Sequence, residues 1–593
     1  MKIKRKVLVT TAIENEFCCL EDKVYLGKWC LPGVIDGYSN KNIVAYHWDD
    51  RDKLFHDYQY VGKLKKDLIY ELGVYLNNKH SLQYDTKYWN IILGYWLNQC
   101  LSAVYDRWCM LHKAIDGNYF DCVFDYQYKI ESLSSNDLNS FNLDIVSDKW
   151  NRNLYLYILN KYIDIEFDNI AGISTGSVVV QKRSPVVFTL FSKLTVNRVY
   201  GELKKRVLSL TSKIYGANDE FFFIADYMDS KLKRNLLTQL GQSNRAWISI
   251  KPPVFNWSAS RLQDKMASKD NYPKNSFEYM IRDMLPCLLP RVIVEGFDWL
   301  SKKTNCMPWP EKPGVIFTAN AHYNDVFFKK WAADKCSNGA KLFIAEHGGQ
   351  GNAKFNGGMD VQLSISDKFF TTGWSGVSDK VCPVGNFRDL YANTQKYDKN
   401  GYAMLVCTNS ARYSHDIRSK ALSSQIIDYF EYQSIFFKSL SDSVKGSVRV
   451  RLYKEDYMWM HKKRWLYNFP GIMFDNHEKP IWSQFEMCRL IICTYNATTH
   501  LEALYKNIPT VIFWDESQWE LNMDAELYFN LLEDVGIFHR SPESASRHIS
   551  SIWSNIDDWW FDNETQKAVS NFVDYYYASV PDIANKFKEH FLS

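Results

Sequence analysis

The stretch LFIAEHGGQGN (342–352) ends an apolar run with Glu346, His347, Gly348 and Gly349 in succession. An imidazole titrates near neutral pH, so His347 can take or give a proton. Glu346 is a candidate to orient it, although neighbours along a strand point to opposite faces. Gly348 and Gly349 let the backbone come close to a ligand and present its N–H groups. A plainer reading stands beside this one: a tight turn holding a satisfied histidine.

A second constellation is LIICTYNATTHLEALYKNIPTVIFW (490–514), which reads strand, turn, helix, strand. Asn496, Thr498 and Thr499 fall where the helix starts. The first N–H groups of a helix lack partners and lie at the positive end of its dipole, which suits a phosphate. Glu502, about one turn further in, can accept hydrogen bonds from ribose hydroxyls. Simple N-capping explains one polar residue there, but not the cluster together with Glu502. CTNSARYSHD (407–416) places Ser410 and Arg412 at the carboxyl end of another β-rich run, where open α/β sheets bind ligands. Arg412 suits a phosphate or carboxylate. RLYKED (451–456) adds Arg451 and Lys454 at the next strand end, each taken singly an ordinary surface charge. Nearer the start, Glu14 closes an apolar stretch, and His47, Asp49 and Arg51 crowd together in HWDDRD (47–52). Asp50-Arg51-Asp52 fits a DxD pattern that elsewhere carries a metal and a nucleotide sugar, but so short a pattern is also common in solvated loops. No HExxH, no metal-spaced Cys/His set and no GxxxxGK[ST] occurs.

These residues need a scaffold. KVLVTTAIEN (6–15), VYLG (24–27) and NIVAYHWDDR (42–51) read as strands, and residues 55–80 as a helix burying Val61, Leu64, Leu68 and Leu72. A second helix carries Trp89, Ile92, Leu93, Trp96 and Leu97 on toward Trp108. Residues 131–142 read as loop and 150–300 as mixed, mostly helical. VIFTANA (315–321), KLFIAEHGG and VQLSIS (361–366) read as strands. After the polar connector 385–401, YAMLVCTNSA, SVRVRLY, RLIICTYNA and IPTVIFW alternate with helical patterns, as in a doubly wound parallel sheet. The expected fold class is α/β with two units: residues 1–395, with large helical insertions over about 55–300, and residues 396–593.

Bulk numbers agree. The chain has 593 residues, and single cores stop growing near ~250–300. Lys and Arg exceed Asp and Glu by only 71 − 68 = 3, which argues against a nucleic-acid binder. Aromatic residues make up 16 % of the chain; they either fill cores or offer flat faces to sugar rings. The 13 cysteines show no CxxC spacing and no secretory signal precedes them, so free thiols in a reducing cytoplasm are expected. No apolar run reaches the ~18 residues of a membrane span. Lys2, Lys4, Arg5 and Lys6 either touch anionic lipid or flank a strand in water.

Taken in order, TTAIENEF, YLGKWC, AYHWDDRDKL, YWNIILGYWL, DRW, AEHGGQG, TYNATTHLEAL and NIPTVIFWDESQWEL resemble the LIC-type transferase family of O-antigen biosynthesis. The resemblance runs from Thr10 to about Trp560. It implies a GT-B glycosyltransferase: two Rossmann-like domains facing a cleft, acceptor on the N-terminal one, nucleotide-sugar donor on the C-terminal one, with the last helix packing back on the first. TYNATTHLEAL then resembles the GT-B donor motif, which implies that Glu502 holds ribose. The motif's usual glycines are replaced by Asn496 and Ala497, and Asn507 stands before Ile508-Pro509. AEHGG is similar to the strand-end HG of capsule and teichoic-acid transferases, several of which use cytidine-linked donors. That similarity implies a proton-transfer role for His347 and favours a CMP-linked ulosonic acid as donor. On this reading the 497–506 helix and Arg412 hold the phosphate, and the acceptor sits near Glu14, His47, Asp49 and His347. No metal or cofactor is required. The partners are a nucleotide sugar and a glycan or lipid-linked glycan, with no nucleic acid, in the cytoplasm or peripherally at the inner membrane. The other readings are a UDP-, GDP- or TDP-sugar transferase, a sugar-nucleotide epimerase, and a non-catalytic glycan-binding protein on the same scaffold.

Overall fold

A computed structural model describes residues 6–13, 22–31, 33, 42–117, 119–125, 128–163, 168–171, 218–243, 245, 250–349, 351–376, 378–388 and 397–593. The expected unit boundary near residue 395, Glu14 and the basic residues Lys2, Lys4 and Arg5 lie outside the described residues.

Short apolar runs such as VIFT and TVIF are buried along their whole length, as happens when a parallel sheet is covered on both faces. Every pairing between the described strands is parallel. The strands fall into three sheets. The first holds β1 (Val7–Val9), β2 (Lys23–Tyr25), β3 (Cys122–Asp125) and β4 (Asp168–Ala171), in the order β2-β1-β3-β4. The second runs in sequence from β5 (Phe221–Phe223) through β6 (Val315–Thr318), β7 (Lys341–Ala345) and β8 (Lys368–Thr371) to β9 (Val381–Pro383). The third comprises β10 (Tyr402–Val406), β11 (Val448–Arg451), β12 (Met473–Phe474), β13 (Cys488–Cys493), β14 (Thr510–Phe513) and β15 (Phe538–His539). Its order, β12-β11-β10-β13-β14-β15, reverses direction between β10 and β13. That reversal opens the crevice in which doubly wound sheets bind ligands.

Residues along β6 and β7 alternate between two cores. Ile316, Leu342 and Ile344 join the large core that continues through the third sheet. Val315, Phe317 and Phe343 face a smaller core closed by the final helix, Ile583–Leu592. There the Phe591 ring stacks on Phe223 at 5.3 Å, and Phe587 stacks on Phe370 at 5.1 Å.

Two long helices, Arg51–His80 and Thr86–Asp116, pack on each other. Each begins at an aspartate whose side chain accepts from the backbone N–H three residues on: Asp50 from Lys53 at 3.0 Å, Asp85 from Tyr88 at 2.8 Å. The second helix also packs on Val326–Cys336 and Gly357–Ile365, joining the helical layer to the second sheet.

Three local expectations are corrected. VQLSIS is not a strand but the end of the Gly357–Ile365 helix: Asn356 caps it, accepting from Gly358 and Met359 N–H, and Val361 and Ile365 bury one helical face. NIVAYHWDDR makes a single bridge at Ile43 and a 3-10 turn at His47–Asp49 before Asp50 starts a helix. The stretch at 131–142 is partly helical, because Asp137 and Ser140 cap each other reciprocally at the start of Leu138–Asp144.

Candidate active site

β7 ends at Ala345, and strand alternation then separates the next two side chains. Glu346 turns inward and is 1 % exposed. Its carboxylate accepts from the Thr372 N–H and hydroxyl, both at 2.5 Å, and from the Trp374 indole at 3.0 Å. It therefore holds β8's exit and does not orient His347. His347 turns outward, half-buried, into a cavity of about 500 Å3. The Tyr227 ring meets it edge-on at 4.7 Å and Tyr323 lies at 6.2 Å. Its buried Nδ1 has no hydrogen-bond partner among the described residues. Burial first, then the Arg388 charge, hold its pKa below the ordinary imidazole value.

The two glycines are needed for a close approach. A Cβ on Gly348 would lie 2.5 Å from Thr498 Oγ1, and one on Gly349 would lie 2.4 Å from Leu501 Cδ1. The turn after β7 thus presses against the start of the Thr498–Tyr505 helix, and Gly349 N–H donates to Thr498 Oγ1 at 3.3 Å. Beside it Asn352 donates to Asn496 Oδ1 at 2.7 Å. Two sequence-distant stretches, AEHGG and TYNATTH, form one seam between the second and third sheets. The second and third sheets face one cleft in this way, as the two units of the GT-B arrangement do, while β1–β4 form a sheet separate from both.

The cavity gathers the predicted His347, Gly348, Gly349, Ser410, Asn496 and Thr498. Ser410 donates to Ala421 O at 2.7 Å, which pins the loop after β10. Glu502 faces a neighbouring cavity of about 430 Å3 that also takes in Trp482 and Tyr505. Arg388 lines both cavities, with Nη2 3.8 Å from the Glu502 carboxylate. Thr499 sits beside this seam, its hydroxyl 3.5 Å from that of Tyr495.

Other predicted residues are engaged elsewhere. Arg412 is 3 % exposed; it ion-pairs with Asp148 at 2.6 Å and donates to Trp29 O, so it braces two units instead of reaching a phosphate. Arg451 pairs with Asp475, and Lys454 is exposed and does not line the cavity. His47 is buried against Asp106 at 3.0 Å, its pKa lowered chiefly by burial. Asp49, at the exposed end of that turn, accepts from Gln425 at 3.2 Å. Arg51 makes a two-pronged pair with Glu520 at 2.7 and 2.9 Å, tying the first long helix to the third sheet's unit. Asp50 caps that helix and Asp52 lies in its first turn, so the DxD pattern is a helix start. His47, Asp57 and Cys109 are close enough to share a metal ion, but the Lys53 ammonium already lies 3.3 Å from His47 Nδ1 and pairs with Asp57.

Sequence reading missed several cavity residues: Arg388, Asn352, Tyr453, Tyr457, Trp519, and the group His415, Arg418 and Lys420. HDIRSK overlaps the end of the stretch singled out after β10 and runs four residues past it, and its density of charge without helical spacing was the available signal. Nothing marks Arg388 in its polar connector. No described helix is long and apolar enough to cross a membrane.

Residues 6–592 match the LIC12162 family transferase. None of the curated proteins matches this sequence. Similar solved structures include the pneumococcal O-GlcNAc transferase GtfA in complex with UDP and GlcNAc, at 12 % identity and TM-score 0.31 over 51 % of this chain; the chain spans 60 % of GtfA's length. Trehalose-6-phosphate synthase OtsA matches at 9 % identity and TM-score 0.34, over 66 % of this chain and 94 % of its own. S. aureus MnaA, in a co-structure with UDP, matches at 11 % identity and TM-score 0.31, over 61 % and 96 %.

Proposed function

This chain belongs to the LIC12162 family of transferases, and from that premise we propose that it is a glycosyltransferase moving a sugar from a nucleotide-activated donor to a glycan acceptor. The observation that carries the reading is the seam itself. A histidine held on one Rossmann-like unit and a helix N-terminus on the other open onto the same cavity, with the Arg388 guanidinium between two compartments. Arg388 Nη1 is buried without a partner among the described residues, which suits an arriving phosphate. The donor lies across Arg388. Its nucleoside points toward Glu502 and Trp482, its phosphate meets Arg388 and the first amides of the Thr498–Tyr505 helix, and its sugar enters the larger cavity beside His347.

In the transfer, an acceptor hydroxyl oxygen bonds to the anomeric carbon while the bond from that carbon to the phosphate oxygen breaks. The hydroxyl proton passes to the His347 imidazole, and the leaving phosphate keeps the bonding electrons, steadied by Arg388 and the helix end. The depressed pKa keeps His347 neutral and ready to accept at pH 7. The reaction as drawn calls for no metal or other cofactor. The preference for a CMP-linked ulosonic acid rests on the likeness of the HGG stretch alone, and UDP, GDP and TDP sugars are the alternatives. A surface-glycan acceptor, in O-antigen or capsule synthesis at the inner face of the membrane, follows from the sequence resemblance.

Incubation with nucleotide sugars and candidate acceptors, read by product mass, tests the reading. Transfer adds a sugar's mass to the acceptor. An unchanged acceptor with an isomerised sugar nucleotide would replace the transferase by an epimerase, and no product with bound nucleotide would leave a binding protein.

A further inference from the structure

The larger cavity holds more positive charge than a donor phosphate needs. The loop after β10 brings Arg418 and Lys420 into it, separately from Arg388. Main-chain pairing holds this loop in place: Ser419 N–H donates to Phe355 O, Gly357 N–H donates to Ile417 O, both at 3.1 Å, and Asn356 bridges to Arg418. From the first long helix, Arg51 Nη1 reaches Lys420 O at 3.5 Å.

The charges themselves are poorly compensated. Asp416 pairs with Arg418 through Nε at 2.6 Å. Asp416 attracts both cations, but among the described residues neither the terminal nitrogens of Arg418 nor the Lys420 ammonium makes a direct ion pair with it. Burial first, then the neighbouring Arg418 charge, bring Lys420 down to about 7. His415, beside them, is held at about 4, chiefly by burial, and adds a neutral ring. The Arg418 side chain is 40 % exposed and Lys420 half-buried, so water reaches both, and two cations sharing one carboxylate in a cavity draw in an anion.

We propose that Arg418 and Lys420 form a second anion subsite in the transfer cavity, separate from the donor-phosphate position at Arg388. Its ligand is a carboxylate or phosphate borne by one of the two substrates: an acidic transferred sugar or a phosphorylated acceptor. Only this choice of ligand rests on the glycosyltransferase reading; the binding of an anion does not.

The test is calorimetric titration of the full chain with inorganic phosphate, alone and with CMP or UDP at saturation. Phosphate is expected to bind the nucleotide-saturated protein. Lys420→Gln should weaken that binding about tenfold or more, the loss of one charge-assisted contact, and leave nucleotide affinity unchanged. The Lys420 side chain makes no internal bond, so this variant keeps its fold, which its unfolding midpoint checks. Arg418→Lys, keeping charge but losing the planar fork, should fall between. Phosphate excluded by nucleotide, or bound equally well by Lys420→Gln, overturns the subsite. If no nucleotide binds at all, the transferase reading fails while the phosphate titration of Lys420→Gln still decides this proposal. Displacement of phosphate by a free ulosonic acid points to the transferred sugar, and displacement by glucose 1-phosphate points to the acceptor. Displacement by neither removes the assignment to a substrate.

Discussion

His347 stands between Tyr227 and Tyr323 with no described carboxylate behind it. As the proposed base it differs in this from one held by an acid, and its readiness comes from a depressed pKa. The sign follows. A base works deprotonated, so the rate rises as pH climbs through its pKa, and depression places that rise below the ordinary value of about 6.5. Activity is therefore expected to level off at a lower pH than an ordinary histidine base would give. Replacing Arg388 by Gln removes one of the two causes, so the acidic limb of kcat/KM should move upward. A limb that stays put would show that Arg388 does not act on His347. Replacing His347 by Ala should reduce turnover by about 10²–10⁴-fold with an unchanged unfolding midpoint. Turnover equal to the parent's would remove it from the chemistry. Glu346, one residue away, is a packing and hydrogen-bonding group for β8, because a one-residue step along a strand changes the face.

At the scale of elements, the function depends on how a turn meets a helix. The glycine pair after β7 lets the backbone press on Thr498 and Leu501 in the first turn of the Thr498–Tyr505 helix. Gly348→Ala should push Thr498 out of its hydrogen bond and weaken nucleotide binding. The same change made on a Thr498→Ala background should cost less, with a coupling of roughly 0.5–3 kcal/mol as found between touching residues. Additive losses in that double-mutant cycle would mean that the two do not meet. Replacement of the donor motif's usual glycines by Asn496 and Ala497 also finds its setting here: Asn496 is bonded across the seam to Asn352, a contact that glycine cannot make.

Across the whole molecule, buried ion pairs and one returning helix join the units. Arg412 and Asp148 link the loop after β10 to the Asp148–Tyr162 helix. Arg412→Ala leaves Asp148 without its cation and should cost about 3–5 kcal/mol in denaturant unfolding. Intact stability with lost donor affinity would instead return Arg412 to the ligand site. The final helix closes the second sheet, so Phe587→Ala should cost about 3–5 kcal/mol. Hydrogen exchange should report that loss in β6–β8 before the third sheet. Exchange accelerated equally everywhere would show that the sheets unfold as one.

The sequence by itself determined the repeating β-rich runs, the alternation of strand and helix after residue 402, and the strand-end placement of His347, Ser410 and Asn496. These are local consequences of apolar period and helix-start chemistry, and the chain's own neighbours set them. The 361–366 stretch misled because a short apolar run is compatible with either period, and the cap at Asn356 decides it. Only the tertiary structure decided which charges reach the cleft. Arg412 and Arg388 are both isolated arginines in polar stretches; Asp148, 264 residues away, takes the first, and the second is left between two cavities. An ion pair depends on what lies within a few ångströms, and no spacing along the chain encodes that distance.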